Sequence, residues 1–486
     1  MTVENSSFRA DVSLSAGLLR VAAADAAALR HFEGVAAEGH GGQVLEGPLS
    51  EINAAALRAQ FTQLQPALIG RNGVSVGTGD RLGLATPGHI RAFRDQGEGV
   101  VPVFAQQSIR EMDRLGRSAQ AVMDDATFGA AAAGWNGPMG ADCDHVKTTQ
   151  GIDRGVAAGF TMFTLDPGDH VVDVRAGITA DQVAQLPWDE LEDDLDSLRR
   201  RYVGTVLELE GEQVRVTDDA LLAAAVKYAR CLVHTRRLYE HLHAIARYPV
   251  EVEIAVDETA FETTYVEHFY LAGELRRLGM DWVGFAPRYV DGFEKGVEFL
   301  GDQDELCRNL RSHHAIAEQW GGYKISLHSG SDKFSIYPLA VEATGGRVHL
   351  KTSGTTYLCA LDVAAAHGHE LLEAIWHISR EAYLQARASY QVSADVDRTP
   401  TNPPGQGLAD LVEAFDSRQI LHVGYGDALQ AAGPTGASIR TELLDLLRAH
   451  LGEYSDVVAA HLGRHLRPFA AGAQQDSGDQ IASEAR

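Results

Sequence analysis

Eight short apolar runs, each turning abruptly polar at its C-terminal end, limit the fold of this 486-residue chain more than any other feature. In order they are VPVFAQQS (101–108), GADCDHVK (140–147), FTMFTLDP (160–167), VEIAVDE (252–258), WVGFAPR (282–288), YKISLHSGSD (323–332), RVHLKTSG (347–354) and ILHVGYGD (420–427). Each is of strand length and almost continuously apolar, as parallel strands buried on both faces are. Helical patterns separate most of them, which is the rhythm of βα units. Such units, all with polar chemistry at the same end, predict an α/β fold: a (β/α)8 TIM-like barrel displaying its site at one mouth.

Residues 1–95 read as an N-terminal extension or lid packing on the barrel, with helical stretches expected at Leu19–Phe32 and Glu51–Leu64. The Gly-rich segment GVSVGTGDRLGLATPGH (73–89) is either a barrel strand or part of the lid, so the strand count is eight or nine. The catalytic barrel is expected over 96–466, interrupted at 170–248 by a segment too long for a βα connection. That insertion holds WDELEDDLDSLRRRY and DDALLAAAVKYARCLVHTRRLYEHLHAIAR, expected as two long amphipathic helices; Leu221, Leu222, Val226, Ala229 and Leu232 recur at helical steps. The small, polar end, 467–486, is expected to be a disordered tail.

Lys and Arg total 42 against 67 Asp and Glu, a formal net charge of −25. That argues against a nucleic-acid or membrane partner, since both need clustered positive charge, and leaves a small molecule. The four cysteines form no CxxC pair, so neither a zinc ribbon nor a redox dithiol is indicated. MTVENSSFRADVSLSAG lacks the charged and apolar regions of a signal peptide, and no apolar stretch is long enough to span a membrane. A cytoplasmic protein is expected.

Residues two apart on a strand share a face. His145 and Lys147 therefore face one way and Asp142 and Asp144 the other, so Asp144 and His145 serve one site only if the strand loosens there. RVHLKTSG places His349 with Lys351, and YKISLHSGSD places Lys324, Ser326 and His328 together. For any one of the 20 histidines, a hydrogen-bonded core role is the commoner one. Three of them on three patterned strands near carboxylates point instead to one divalent metal ion (Zn, Mn, Ni or Co) held by His145, His328 and His349. Asp144 and Glu258, the latter beside Asp257, are the acid–base candidates. Arg81, Lys147, Lys333 and Lys351 are the cations suited to a substrate anion, and Gln107, Asp166, Asp257, Arg288, Asp332 and His422 complete the expected substrate-binding set. No HExxH, P-loop or strand–GxGxxG–helix motif occurs.

Several long segments, in order, resemble the tagaturonate/fructuronate epimerase family of bacterial hexuronate catabolism. They are GDRLGLATPGHI, GADCDHVKT, FTMFTLDP, EIAVDE, HFYLAGELRRLGMDWVGFAPRYVDGFEKGVEFLGD, YKISLHSGSDKFSIYP, VHLKTSGTTYL, RQILHVGYGD and the closing HLGRHL, together covering about residues 70–466. The resemblance implies a metal-dependent barrel enzyme interconverting D-tagaturonate and D-fructuronate. It implies metal ligands at His145, His328 and His349, a proton acceptor at Asp144, and a donor at Glu258 or its neighbour Asp257. Cys143 and GYGD depart from the family's pattern. A 4-epimerase of neutral ketohexoses, or another metal-dependent sugar isomerase or aldolase-type lyase, would keep the same set. The two uronates differ at a carbinol carbon two bonds from the ketone, where enolisation cannot invert the centre. Retro-aldol cleavage, rotation and re-addition is therefore the expected route, since no motif binds a nicotinamide.

Overall fold

Eight parallel strands close into a barrel in simple sequence order: β1 Ser75–Gly77, β2 Val101–Ser108, β3 Gly140–Val146, β4 Met162–Leu165, β5 Glu251–Ala255, β6 Gly284–Ala286, β7 Lys324–Leu327 and β8 Val348–Lys351. The structure is a computed structural model that describes residues 2–37, 43–172, 174, 177–352, 354–403 and 407–484. Seven of the predicted runs supply β2 to β8.

The remaining strand is not ILHVGYGD, which forms the helices Phe415–Val423 and Tyr425–Gln430. Residues 419–426 are buried throughout, and a short run buried on every side has no period to distinguish helix from strand. The open segment GVSVGTGD supplies β1 instead, pairing with β8 on one side and β2 on the other. The barrel thus begins before residue 95, where the sequence suggested a boundary.

Three of the βα turns end in side-chain caps at the mouth. Ser108 caps Ile109–Leu115, Thr148 caps Thr149–Ala158, and Thr264 with Glu267 forms a capping box on Tyr265–Arg277. Each cap satisfies amide groups that the helix leaves free, at the barrel end where the site lies.

Outward-facing Val76, Val252, Ile254, Phe285, Ile325, Leu327, Val348 and Leu350 pack in the main apolar core. The interior is polar instead of layered with branched aliphatics. Near the amino ends of the strands, Glu251 accepts from the amides of Ile69 (2.6 Å) and Gly70 (2.9 Å), and Lys324 Nζ donates to Ser75 Oγ at 2.9 Å. A small apolar cluster of Ile69, Val103 and Met162 accompanies them.

The head is a five-stranded antiparallel sheet, including Phe8–Ser13, Leu18–Ala23 and Gln43–Pro48, packed on the barrel helix Ala119–Ala133. Leu19–Phe32 is therefore strand followed by the 3-10 turn Ala26–His31, because burial alternates along 18–23. The stretch expected at Glu51–Leu64 is helix over Glu51–Gln60, followed by the 3-10 turn Thr62–Leu64.

In the insertion the first expected helix is broken. Glu192, at φ 54°, separates Trp188–Leu191 from Leu195–Tyr202, which Asp194 caps, and a hairpin follows. The second is one helix, Asp218–Ile245, lying on Tyr265–Arg277 and Thr149–Ala158. Of the segment expected as a disordered tail, residues 467–484 continue the last helix, Leu451–Glu484, and 485–486 lie outside the described residues. Among the described residues no helix is long and apolar enough to cross a membrane.

Candidate active site

Strand β3 sets the geometry of the mouth. Asp142 and Asp144 point inward, as alternation requires, while the ladder to β4 shifts between Cys143 and Val146. His145 sits there at φ 47°, a conformation that costs a non-glycine residue about 1–3 kcal/mol. This irregularity brings Asp144 and His145 to one place, with Nε2 of His145 3.9 Å from Asp144 Oδ1. It is the loosening that the sequence required.

Lys351, at the end of β8, is the hub beneath them. Its ammonium stands 2.8 Å from Asp144 Oδ1, 2.9 Å from Asp142 Oδ2 and 2.8 Å from Glu253 Oε1, and donates to Thr164 Oγ1 at 2.6 Å. Gln106 of β2 donates to the other oxygen of Asp144 at 3.0 Å. Gly77 makes room for it, since a Cβ there would fall 3.1 Å from the Gln106 side chain. Glu253 also accepts from Ser326 and lies 2.6 Å from Nε2 of His328. His328 Nδ1 is 3.3 Å from Asp257 Oδ1. The rings of His145 and His328 meet edge to face with centroids 5.0 Å apart.

On the outer side, His145 Nδ1 is 2.9 Å from Asp166, and Glu258 is held by both terminal nitrogens of Arg110 at 2.7 and 3.1 Å. Among the described residues, Asp144, His145 and His328 each place a ligand-capable atom within 4.8 Å of the others, and so do His145, Asp166 and Glu258.

The electrostatics follow from this crowding. Burial alone would raise the Asp144 carboxyl, but Lys351, then His145 and His328, outweigh it and hold it well below the usual range. Asp142 goes the other way, pushed up to about 6 by burial, with Lys351 only partly opposing. Burial also works against a charged His145, yet Asp144, Glu258 and Asp166 push it up to about 10. Burial and then Lys351 disfavour the charge on His328, and Asp257 and Glu253 reverse this to leave it raised. Glu258, despite burial, is kept low by His145 and Arg110.

Several expected residues stand elsewhere. His349 is one layer deeper than Lys351 on β8; its Nδ1 is 2.8 Å from Ser75 Oγ, and its buried Nε2 has no partner. It does not join Asp144, His145 and His328, which lie at or just beyond their strand ends. Arg81 is spent on Glu111 and stacks 3.6 Å over Tyr425. Gln107 faces outward and accepts from Arg117, leaving the inward place to Gln106. Lys147 is the exception: it pairs with Asp169 at 2.7 Å but stays at the rim of the mouth, 3.7 Å from the Asp166 oxygen that meets His145. Lys333 is buried against the carbonyls of Glu294 and Val297. Asp332, at φ 60°, bonds His461 and Arg418 beside the closing helix. His422 is buried on its helix against Gly296 and Gly354.

Asp166, Asp257, Arg288 and Lys351 do lie at the mouth or in the cavity beside it. Glu253, Asp142, Gln106, Arg110 and Lys295 were not anticipated. Alternation through VEIAVDE places Glu253 and Asp257 on one face, a signal that attention to the strand tips passed over.

The likenesses to known proteins follow the whole architecture. A tagaturonate/fructuronate epimerase of Thermotoga maritima is 36% identical over 422 residues, 85% of this chain and 84% of that one. The native crystal structure of the fructuronate–tagaturonate epimerase UxaE of Cohnella laeviribosi superposes with a TM-score of 0.86 at 30% identity, covering 96% of this chain and 95% of that one. A glycerol complex of the same protein gives a TM-score of 0.85 at the same identity and coverage. The family model described as tagaturonate epimerase (UxaE) matches residues 17–469, taking in most of the head sheet, the whole barrel and the first half of the last helix. The chain belongs to the tagaturonate epimerase family.

Proposed function

We propose that this chain interconverts D-tagaturonate and D-fructuronate, inverting one carbinol carbon with the carbon skeleton conserved, and that its mouth carries a divalent metal ion. The observation behind the metal is charge. Asp142, Asp144, Asp166, Glu253, Asp257 and Glu258 gather around His145 and His328, and the Lys and Arg side chains paired with these six among the described residues are Lys351, Arg110 and, 3.7 Å from Asp166, Lys147. Such a surplus of buried carboxylate suits a cation. His145 and His328, with Asp144 in reach, would hold it, and two imidazoles with a carboxylate match Zn, Mn, Ni or Co. Bound there, such an ion supplies Lewis-acid stabilisation of negative charge on substrate oxygens.

The residues of the chain divide the remaining work. Asp144, kept ionised by Lys351, accepts the proton of the reacting hydroxyl. Loss of that proton lets the bond from the reacting carbon to its neighbour on the ketone side break, the electron pair passing to the ketone. After the aldehyde turns, the bond re-forms on its other face, and Glu258, ionised beside Arg110 on the outer side, returns to the new alkoxide a proton taken from water. Lys351 is saturated by its three carboxylates and Thr164, so it sets the charge of Asp144 and has no donor left for an oxyanion. The Asp166 contact fixes the ring orientation of His145, as an outer partner of a metal ligand does.

Incubation of the protein with each uronate, with and without EDTA, tests this reading. The other uronate should accumulate with no three-carbon fragment released, and fructose and tagatose should turn over far more slowly. Release of fragments instead would indicate a lyase, and equal rates with and without EDTA would remove the metal from the account.

A further inference from the structure

Outward from Asp257 and Glu258 opens a cavity of about 360 Å3, within the usual size of a small-molecule site, walled by Arg110, Arg288, Lys295 and Tyr390. In a chain of net charge −25, three cations around one cavity are a local reversal of the global field. They are also incompletely compensated. Arg110 grips Glu258 but leaves its buried Nε without a partner. Among the described residues Arg288 makes one ion pair, with Asp291 at 3.3 Å, whose side chain is 91% exposed, and such surface pairs contribute little. The half-buried ammonium of Lys295 has no hydrogen bond or ion pair among the described residues.

Lys295 is nevertheless held in place. Its backbone N–H donates to Gln391 O at 3.1 Å, and its carbonyl accepts from Gln419 Nε2 at 3.3 Å. A cation partly removed from water, with no hydrogen bond or ion pair among the described residues and only the longer-range attraction of Asp257, is well suited to an arriving anion.

We propose that this cationic wall is the subsite for the substrate's carboxylate, and that Lys295 is the main determinant of preference for a sugar acid over the neutral ketose. This rests on the reaction proposed above and adds to it the direction in which the substrate lies. In either uronate the inverted carbon is two bonds from the ketone and two bonds from the carboxylate. With the carboxylate on the outer wall and the ketone end toward His145 and His328, the inverted carbon falls between them, beside Asp257 and Glu258. Lys295 is a binding and specificity residue and takes no part in proton transfer.

The test compares the full chain, assayed with divalent metal present, with Lys295→Met and Lys295→Arg. For Lys295→Met, KM for both uronates should rise about 10- to 100-fold, the loss expected for a charge-assisted hydrogen bond, with kcat changing less than threefold. The competition constant of neutral D-tagatose against uronate turnover should move less than twofold, and Lys295→Arg should recover most of the uronate affinity. A KM for Lys295→Met within twofold of the parent, or equal weakening of uronate and tagatose, would overturn the assignment. A parent protein that turns over neither uronate would instead overturn the reaction on which the assignment rests.

Discussion

The ammonium of Lys351 stands 2.8 Å from Oδ1 of Asp144, both side chains buried, at the point where the polar barrel interior meets the mouth. Asp142 and Glu253 share the same ammonium. Lys351→Met would leave these carboxylates buried with their common counter-charge gone. A loss of about 3–5 kcal/mol is expected on breaking such a cluster. It should register as a lower midpoint in urea, and an unchanged midpoint would mean that water already screens the site.

Asp144→Asn keeps an acceptor for Lys351 and removes the charge. Expected is a fall in kcat of about 10²- to 10⁴-fold in both directions of the reaction, with folding retained. Steady-state kinetics paired with circular dichroism decide it. Less than a tenfold loss would move the proton acceptor elsewhere.

Metal content separates the histidines. His145→Ala and His328→Ala should each retain less than about a tenth of the parent's bound ion by elemental analysis, since each removes one member of the cluster at the mouth. His349→Asn should retain more than either, because His349 is turned toward Ser75. Metal loss in all three alike would place His349 among the ligands.

Stability should decline in mild acid through histidines far from the site. Burial lowers His89 to about 4, with its Nε2 3.1 Å from Thr356 Oγ1. Between an unfolded value of about 6.5 and that folded value, the unfolded chain binds the proton and the folded chain does not, so stability falls as pH drops through this window. At pH 5 this single group accounts for about 1–2 kcal/mol of loss relative to pH 7.5. Urea midpoints at the two pH values should differ less in His89→Gln than in the parent.

Cys143 lies outside the substrate's reach. Its side chain faces the helix Thr149–Ala158, where a Cβ on Gly155 would come within 2.9 Å of the sulfur. Cys143→Ala should leave the preference for uronate over ketose within a factor of two and cost about 1–2 kcal/mol of stability through lost packing. A switch in substrate preference would contradict the outward orientation.

The periodic apolar runs were enough to define seven barrel strands and the polarity of the mouth, because strand length, alternation and polar ends are local properties of the chain. The eighth strand stayed an open alternative to a lid because β1 spans only Ser75–Gly77, while the buried helix around His422 presented the same unbroken apolar run as a strand. His145, His328 and Asp144 were identifiable as chemically capable residues at strand ends. Which of them meet depended on the backbone shift at His145, and no single-strand pattern encodes such a shift. Depth was equally hidden: His349 and Lys351 share a face, yet two residues along β8 separate a contact with Ser75 from the carboxylate hub. The pairing of Arg81 with Glu111 of the helix Ile109–Leu115, and the ammonium of Lys295 on the cavity wall, arise from segments brought together by barrel closure. Residue type and period therefore specified the barrel and its chemistry. Tertiary packing alone decided which charges are spent on one another and which remain free for a ligand, because that balance is set by distances between segments remote in the chain.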